Sequence, residues 1–131
     1  MPTLFTRIVQ GEIPAYKIAE DDQFLAFLDI SPLAKGHALV IPKKEVDYIF
    51  DLDEDALSGL MLFAQRVARA IERVVSCKRI GIAVIGLEVP HAHVHLVPLQ
   101  TMHDIDFSKA RVQMTTDEFN HLAKAIQAEF K

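Results

Sequence analysis

The chain has one cysteine, no tryptophan, five glycines in 131 residues and no long apolar run. Each scarcity excludes something. A lone Cys77 cannot close an intrachain disulfide, nor can one chain build a thiolate metal cluster from it. No stretch approaches the roughly 20 apolar residues that a bilayer-crossing helix needs, so no membrane span is expected. Basic residues are outnumbered, with 14 Lys and Arg against 18 Asp and Glu, giving a formal charge of −4. General affinity for nucleic acid or an anionic membrane needs basic patches and is not expected. A local pocket can still oppose the net charge, so a small phosphorylated ligand stays open. The opening MPTLFTRIVQGEIP lacks the basic start and long apolar core of a secretory signal, and a cytoplasmic location is expected.

What is present is apolar material, 50% of the residues, enough for one compact domain over residues 1–131. No repeat, low-complexity tract or dividing linker interrupts it. TLFTRIVQG reads as a short amphipathic helix ended by Gly11, with Leu4, Phe5 and Ile8 on one side. YKIAE and QFLAFLDI read as strands around Asp21 and Asp22, and HALVIP as a third strand after a loop over residues 31–36. From Asp53 the period turns helical, with Leu57, Leu60, Met61, Ala64, Val67, Ala68, Ile71 and Val75 at spacings of three and four. RIGIAVIG and the segment HAHVHLVPL supply two more strands. Thr115 with Glu118 fits a capping box for a last helix facing inward through Phe119, Leu122, Ala123 and Ile126. The order predicts an α+β fold with a mainly antiparallel sheet of about five strands, one long helix and a C-terminal helix.

HAHVHLVPL sets three histidines at every second position. On a strand, His91, His93 and His95 would share one face, and Ala92, Val94 and Leu96 the other. Three readings compete: a metal site, a nucleophilic or acid/base cluster, and a satisfied structural face. Two histidines two apart can chelate zinc, yet such sites draw a further ligand from another element, and none is obvious here. Imidazole is also a competent nucleophile toward phosphorus. Spacing alone leaves all three open.

A second segment bears on the choice. FLAFLDISPLAKGHALVIPKK, taken with HAHVHLVPL and the opening TLFTRIVQGEIPAYKIAEDD, resembles the histidine triad (HIT) family of nucleotide hydrolases and transferases, in its nucleoside phosphoramidase branch. The resemblance covers roughly residues 3–99, leaving residues 100–131 as a C-terminal extension. It implies hydrolysis or transfer at the α-phosphate of a purine nucleotide conjugate, with dinucleoside polyphosphate hydrolysis, nucleotide binding with little turnover, or a three-histidine metalloprotein as alternatives. It assigns the nucleophile to His93, a donor to the phosphate or leaving group to His95, and orienting roles to His37 and His91. Asp29 falls where the family grips the ribose hydroxyls. Leu4, Phe5, Ile8, Phe27, Ile30 and Leu39 match the positions that sandwich the base; without the resemblance all six read as core. Gly86, Glu88 and Val89 fall in the phosphate loop. No cofactor is implied, and a homodimer is.

Three departures stand out. Relatives that bind structural zinc use two cysteines, a histidine after the IPK segment and the first triplet histidine; here those places hold Thr3, Thr6, Glu45 and His91. A zinc site of that type is not expected. The phosphate loop reads AVIGLEVPH, with Leu87 and Glu88 in place of a polar pair, and a carboxylate there repels phosphate. The extension carries an apparent helix rather than a short aromatic tail. Lys43, Lys44, His103 and His121 read as surface residues.

Overall fold

The protein is described by a computed structural model over residues 2–131. Helix α1 (Leu4–Val9) leads into strands β1 (Lys17–Glu20), β2 (Phe24–Leu28) and β3 (Ala38–Pro42). Helix α2 (Glu54–Val74), strands β4 (Arg79–Ala83) and β5 (Val94–Leu99) and helix α3 (Thr116–Glu129) complete the order, with single 3-10 turns at Ile49–Asp51 and Met102–Ile105. The strands form one antiparallel sheet ordered β1-β2-β3-β5-β4. The expected α+β architecture is the one observed.

Local chemistry sets the boundaries. Asp53 caps α2 by accepting from the Ala56 N–H, and Glu54 and Asp55 in its first turn meet the positive end of the helix dipole. The Thr115–Glu118 capping box starts α3 as expected. Gly36, at φ 96°, makes the turn that delivers His37 to β3; a Cβ there would meet the Val75 and Pro98 side chains at 3.0 and 3.2 Å.

One face of the sheet packs on α2 and α3. Phe24, Ala26 and Leu28 of β2, Ala38 and Val40 of β3, and Val94 and Leu96 of β5 meet Leu60, Phe63, Ala64, Val67 and Ile71 of α2. Phe119, Leu122, Ala123 and Ile126 of α3 join them, the four inward residues expected. Met61, expected inside, is exposed, and Phe63 and Ala70 are buried instead. The buried stripe Leu60, Phe63, Ala64, Val67, Ala70 and Ile71 itself keeps the three-four spacing, and Met61 falls just beside it. On the other face, α1 is the one helix over the alternate residues Leu25, Phe27, Leu39 and Ile41, with Ile13, Ala15 and Val89 packed beside it.

Two expectations on the last strands need correction. β4 stops at Ala83 rather than at Gly86, and β5 starts at Val94, so His91 and His93 precede the ladder. Gly86 adopts φ 75° and Pro90 has no N–H, which breaks pairing between them. The His91 N–H turns back to the Val89 carbonyl (2.8 Å) and the Ala92 N–H bonds the Val46 carbonyl (2.7 Å). The three histidines therefore do not alternate along one strand.

Candidate functional site

A cavity of about 550 Å³ opens on the face that α1 covers only in part. Register builds its floor: Phe27 pairs with Leu39, and Leu39 with His95, so the three stand in a row across β2, β3 and β5 on one face. Phe5 and Ile8 close over them from α1, and Val89 packs against this cluster from the loop. Leu4, Ile30 and Glu88 also line the cavity but are exposed, Ile30 by 75%. Gly86 lines it as well. His93 and His95 contribute to the wall; His37 and His91, both fully buried, do not.

Hydrogen bonds fix the tautomers. The Leu33 N–H donates to His37 Nδ1 (2.9 Å), so the proton of a neutral His37 sits on Nε2. That Nε2–H donates to His95 Nδ1 (3.0 Å), which leaves the His95 proton on Nε2. His93 runs the other way: its Nδ1–H donates to the His91 carbonyl (2.7 Å), so a neutral His93 carries its lone pair on Nε2. The His93 and His95 rings meet edge to face at 5.0 Å. One wall of the cavity thus offers an imidazole lone pair beside an imidazole N–H.

Burial keeps the donor side neutral. Desolvation lowers His37 to about 3 and His95 to about 4, with neighbouring positive charge adding to the effect. His91 is lowered too, again chiefly by burial. Asp29 sits at the end of β2; its Oδ1 accepts from the Ser31 N–H (2.8 Å) and its Oδ2 lies 3.6 Å from His37 Nε2. Desolvation raises its carboxyl above the usual range. No ring takes that carboxylate's second oxygen as a close partner, which leaves it an acceptor at the cavity edge.

His91 belongs to a separate clasp. Its Nε2–H donates to the Pro42 carbonyl (2.7 Å), so Nδ1 accepts, from the Thr3 hydroxyl at 2.9 Å. The Thr6 hydroxyl donates to Glu45 (2.6 Å), and the same carboxylate oxygen accepts from the Thr3 N–H (2.7 Å). Those hydrogen bonds, from Thr6 first, hold the Glu45 carboxyl below its usual range. Thr3, Thr6, Glu45 and His91 are the four positions singled out in the sequence, joined by hydrogen bonds.

For metals, the one convergent set among the described residues is Asp29, His37 and His95, whose ligand atoms lie within 4.8 Å of one another. In this set the Leu33 N–H occupies one His37 nitrogen and the other donates to His95, so mutual hydrogen bonding accounts for the grouping. The HAHVH triplet does not converge, because His91 Nε2 and His93 Nδ1 both point to backbone carbonyls.

Among the cavity residues that sequence reasoning missed are Phe107 and Arg111, both in the extension. The Phe107 ring packs edge-on against His95 (4.7 Å) and His37 (6.2 Å). Arg111 lies over that ring at 5.6 Å and donates to the Ser31 carbonyl at 2.8 Å. No local motif marks either residue, because the path of the extension back to Ser31 and His95 sets their place.

Fold and site define a class: an antiparallel α+β protein whose sheet presents a hydrogen-bonded histidine cluster to an apolar cleft. Comparison with known proteins gives the family. The HIT domain profile matches residues 10–102. A HIT-like protein of Borreliella burgdorferi is 31% identical over 131 residues, 94% of each chain. An adenosine 5′-monophosphoramidase of Schizosaccharomyces pombe is 37% identical over 100 residues, 75% of this chain and 74% of its own. The crystal structure of a Hit-like protein from Bartonella henselae, described as involved in cell-cycle regulation, superposes with a TM-score of 0.84 at 28% identity, over 98% of this chain and 96% of its own. The chain belongs to the HIT family.

Proposed function

We propose that the protein hydrolyses or transfers at the α-phosphate of a purine nucleotide conjugate, of nucleoside phosphoramidate type, through a nucleotidyl-His93 intermediate. The observation that carries this reading is the fixed pair of tautomers: a His93 Nε2 lone pair beside a His95 Nε2–H on one cavity wall. His93 Nε2 attacks phosphorus, the bond to the leaving amine breaks, and the amine departs with a proton taken from solvent. Water then attacks the same phosphorus, breaks the P–N bond to His93 and releases nucleoside monophosphate. His95 donates to a phosphoryl oxygen, and a neutral donor suits a group that burial keeps uncharged. The His91 carbonyl aims His93, and His37 fixes the tautomer of His95.

The apolar cluster of Phe5, Ile8, Phe27 and Leu39, with Leu4, Ile30 and Val89, takes the base; Asp29 accepts from the ribose hydroxyls; Gly86 and Glu88 border the phosphate. The adenosine 5′-monophosphoramidase relative supports the substrate class. The protein works as a cytoplasmic homodimer joined through edge strand β4 and α2, supported by the exposure of Ile82, Val84 and Leu62. Among the described residues no helix is long and apolar enough to cross a membrane. Sedimentation at several concentrations tests the dimer. The reaction is tested by a single turnover of labelled adenosine phosphoramidate quenched in denaturant. Label should map to His93, and turnover without any protein-bound label would sink the covalent route.

A further inference from the structure

We propose that Arg111, presented by the C-terminal extension on the ring of Phe107, is the residue that recognises the anionic phosphate in this cavity. The inference rests on the cavity being a nucleotide site and names how that site holds negative charge. The loop over residues 84–90 brings Leu87 and Glu88 to the cavity, an apolar side chain and a carboxylate. Neither is a donor to phosphate. Asp29 is a second carboxylate, and burial holds His37 and His95 uncharged near neutral pH. A nucleotide anion entering here must find its counter-charge elsewhere. Arg111 is the sole Lys or Arg lining the cavity among the described residues.

Its placement is fixed in advance. Nη1 donates to the Ser31 carbonyl (2.8 Å), Nη2 to the Phe107 carbonyl (3.4 Å), and the following Val112 N–H to the Pro32 carbonyl (2.8 Å). A guanidinium has five N–H donors, so Nε and one hydrogen on each Nη remain for a ligand. Phe107 packs against both the guanidinium and the His95 ring, so Arg111, Phe107 and His95 line one part of the cavity. An oriented fork of this kind loses little freedom on binding and matches phosphate geometry. The extension thus supplies from residues 107–111 what the loop before the triplet lacks.

The test is calorimetric titration of the wild-type protein, Arg111→Gln and Arg111→Lys with adenosine 5′-monophosphate and, separately, with adenosine. Arg111→Gln should weaken the monophosphate roughly tenfold or more and adenosine by less than about twofold. Arg111→Lys keeps the charge without the fork and should fall between. Equal losses for both ligands would mean that Arg111 only holds the loop at Ser31 and Pro32, and unchanged monophosphate binding would remove it from the site altogether; either result overturns the assignment. A wild-type protein that binds neither ligand brings down the nucleotide reading as well, and that arm is read before any variant.

Discussion

The two faces of the central sheet are built from the same strands and the same kinds of residue, yet they do opposite things. In β2, Phe24, Ala26 and Leu28 face α2 and α3, while Leu25 and Phe27 face α1. All five are buried, as are all five residues of β3. The helix-covered face lies under α2 and α3, of 21 and 14 residues, and its cluster is wholly apolar. The other lies under six residues of α1 and retains a cavity of about 550 Å³. The buried polar residues Thr3, His37, His91, His93 and His95 all cluster at that second face. Burial therefore does not separate core from site; the length of the covering helix and the polar residues do.

Substitutions should break this symmetry in opposite ways. On the cavity face, His93→Ala should lower turnover by about three orders of magnitude or more while leaving the melting temperature close to wild type. On the helix-covered face, Leu60→Ala removes a fully buried side chain of α2 and should cost about 2–5 kcal/mol of stability. Its turnover per folded molecule should stay unchanged. Denaturant melts and initial rates on both variants check the contrast, and a Leu60→Ala protein with damaged catalysis would show that the faces are coupled.

Acid should find the same face. A histidine titrates near 6.5 when unfolded, whereas His37 and His95 fall to about 3 and about 4 in the fold. Below 6.5 the unfolded chain binds protons that the folded chain refuses, so stability is fully present above that value and drains away as pH falls toward 4. His91 adds in the same direction. Asp29, raised by burial, acts oppositely but only near its own acid range. The loss should amount to several kcal/mol between about pH 7 and pH 4, read from denaturant midpoints. Replacing His37 with a neutral isostere such as Asn should flatten that slope.

Much of this was legible in the sequence, and the limits have physical causes. The helical period that begins at Asp53 and the capping box at Thr115 are local, and they located α2 and α3. The alternation of HAHVHLVPL suggested a single strand face, but the turn at His91 depends on bonds to Pro42 and Val46, nearly 50 residues away. Nothing local encodes those. Phe107 and Arg111 were missed for the same reason: their place beside His95 and Ser31 is set by the path of the extension, not by any motif. The clasp of Thr3, Thr6, Glu45 and His91 was seen only as a metal site with three of its four ligands replaced, because hydrogen bonding between them appears once the chain is folded.

Asp29 offers a finer probe of the cavity face. If its free carboxylate oxygen accepts from ribose, Asp29→Asn should weaken ribonucleotides more than 2′-deoxy counterparts. Hydrogen bonds to a charged acceptor are worth about 1.5–3 kcal/mol, or roughly one to two decades of affinity. Competition binding with the matched sugars measures the difference, and equal losses for both would remove Asp29 from the ribose.

The smallest effect expected on this face comes from Glu88. The side chain lines the cavity yet is exposed, so water and salt screen its field. Two unit charges about 6 Å apart at an effective dielectric near 20 would interact by roughly 3 kcal/mol, but measured exposed pairs fall to about 1 kcal/mol or less. Glu88→Ser should therefore tighten nucleoside monophosphate binding by no more than about fivefold. The pH dependence separates causes. His37 and His95 are uncharged at pH 8 and at pH 5.5 alike, so they cannot offset the carboxylate at the lower value. The ligand can, since a phosphate monoester loses its second proton near about pH 6 and carries roughly one charge less at pH 5.5. The gain from Glu88→Ser should thus be larger at pH 8, and it should vanish for adenosine, which carries no phosphate. A variant that binds the monophosphate more weakly at both pH values would mean that Glu88 supports the site, for example by orienting Arg111 from across the cavity, and that repulsion is not its main contribution.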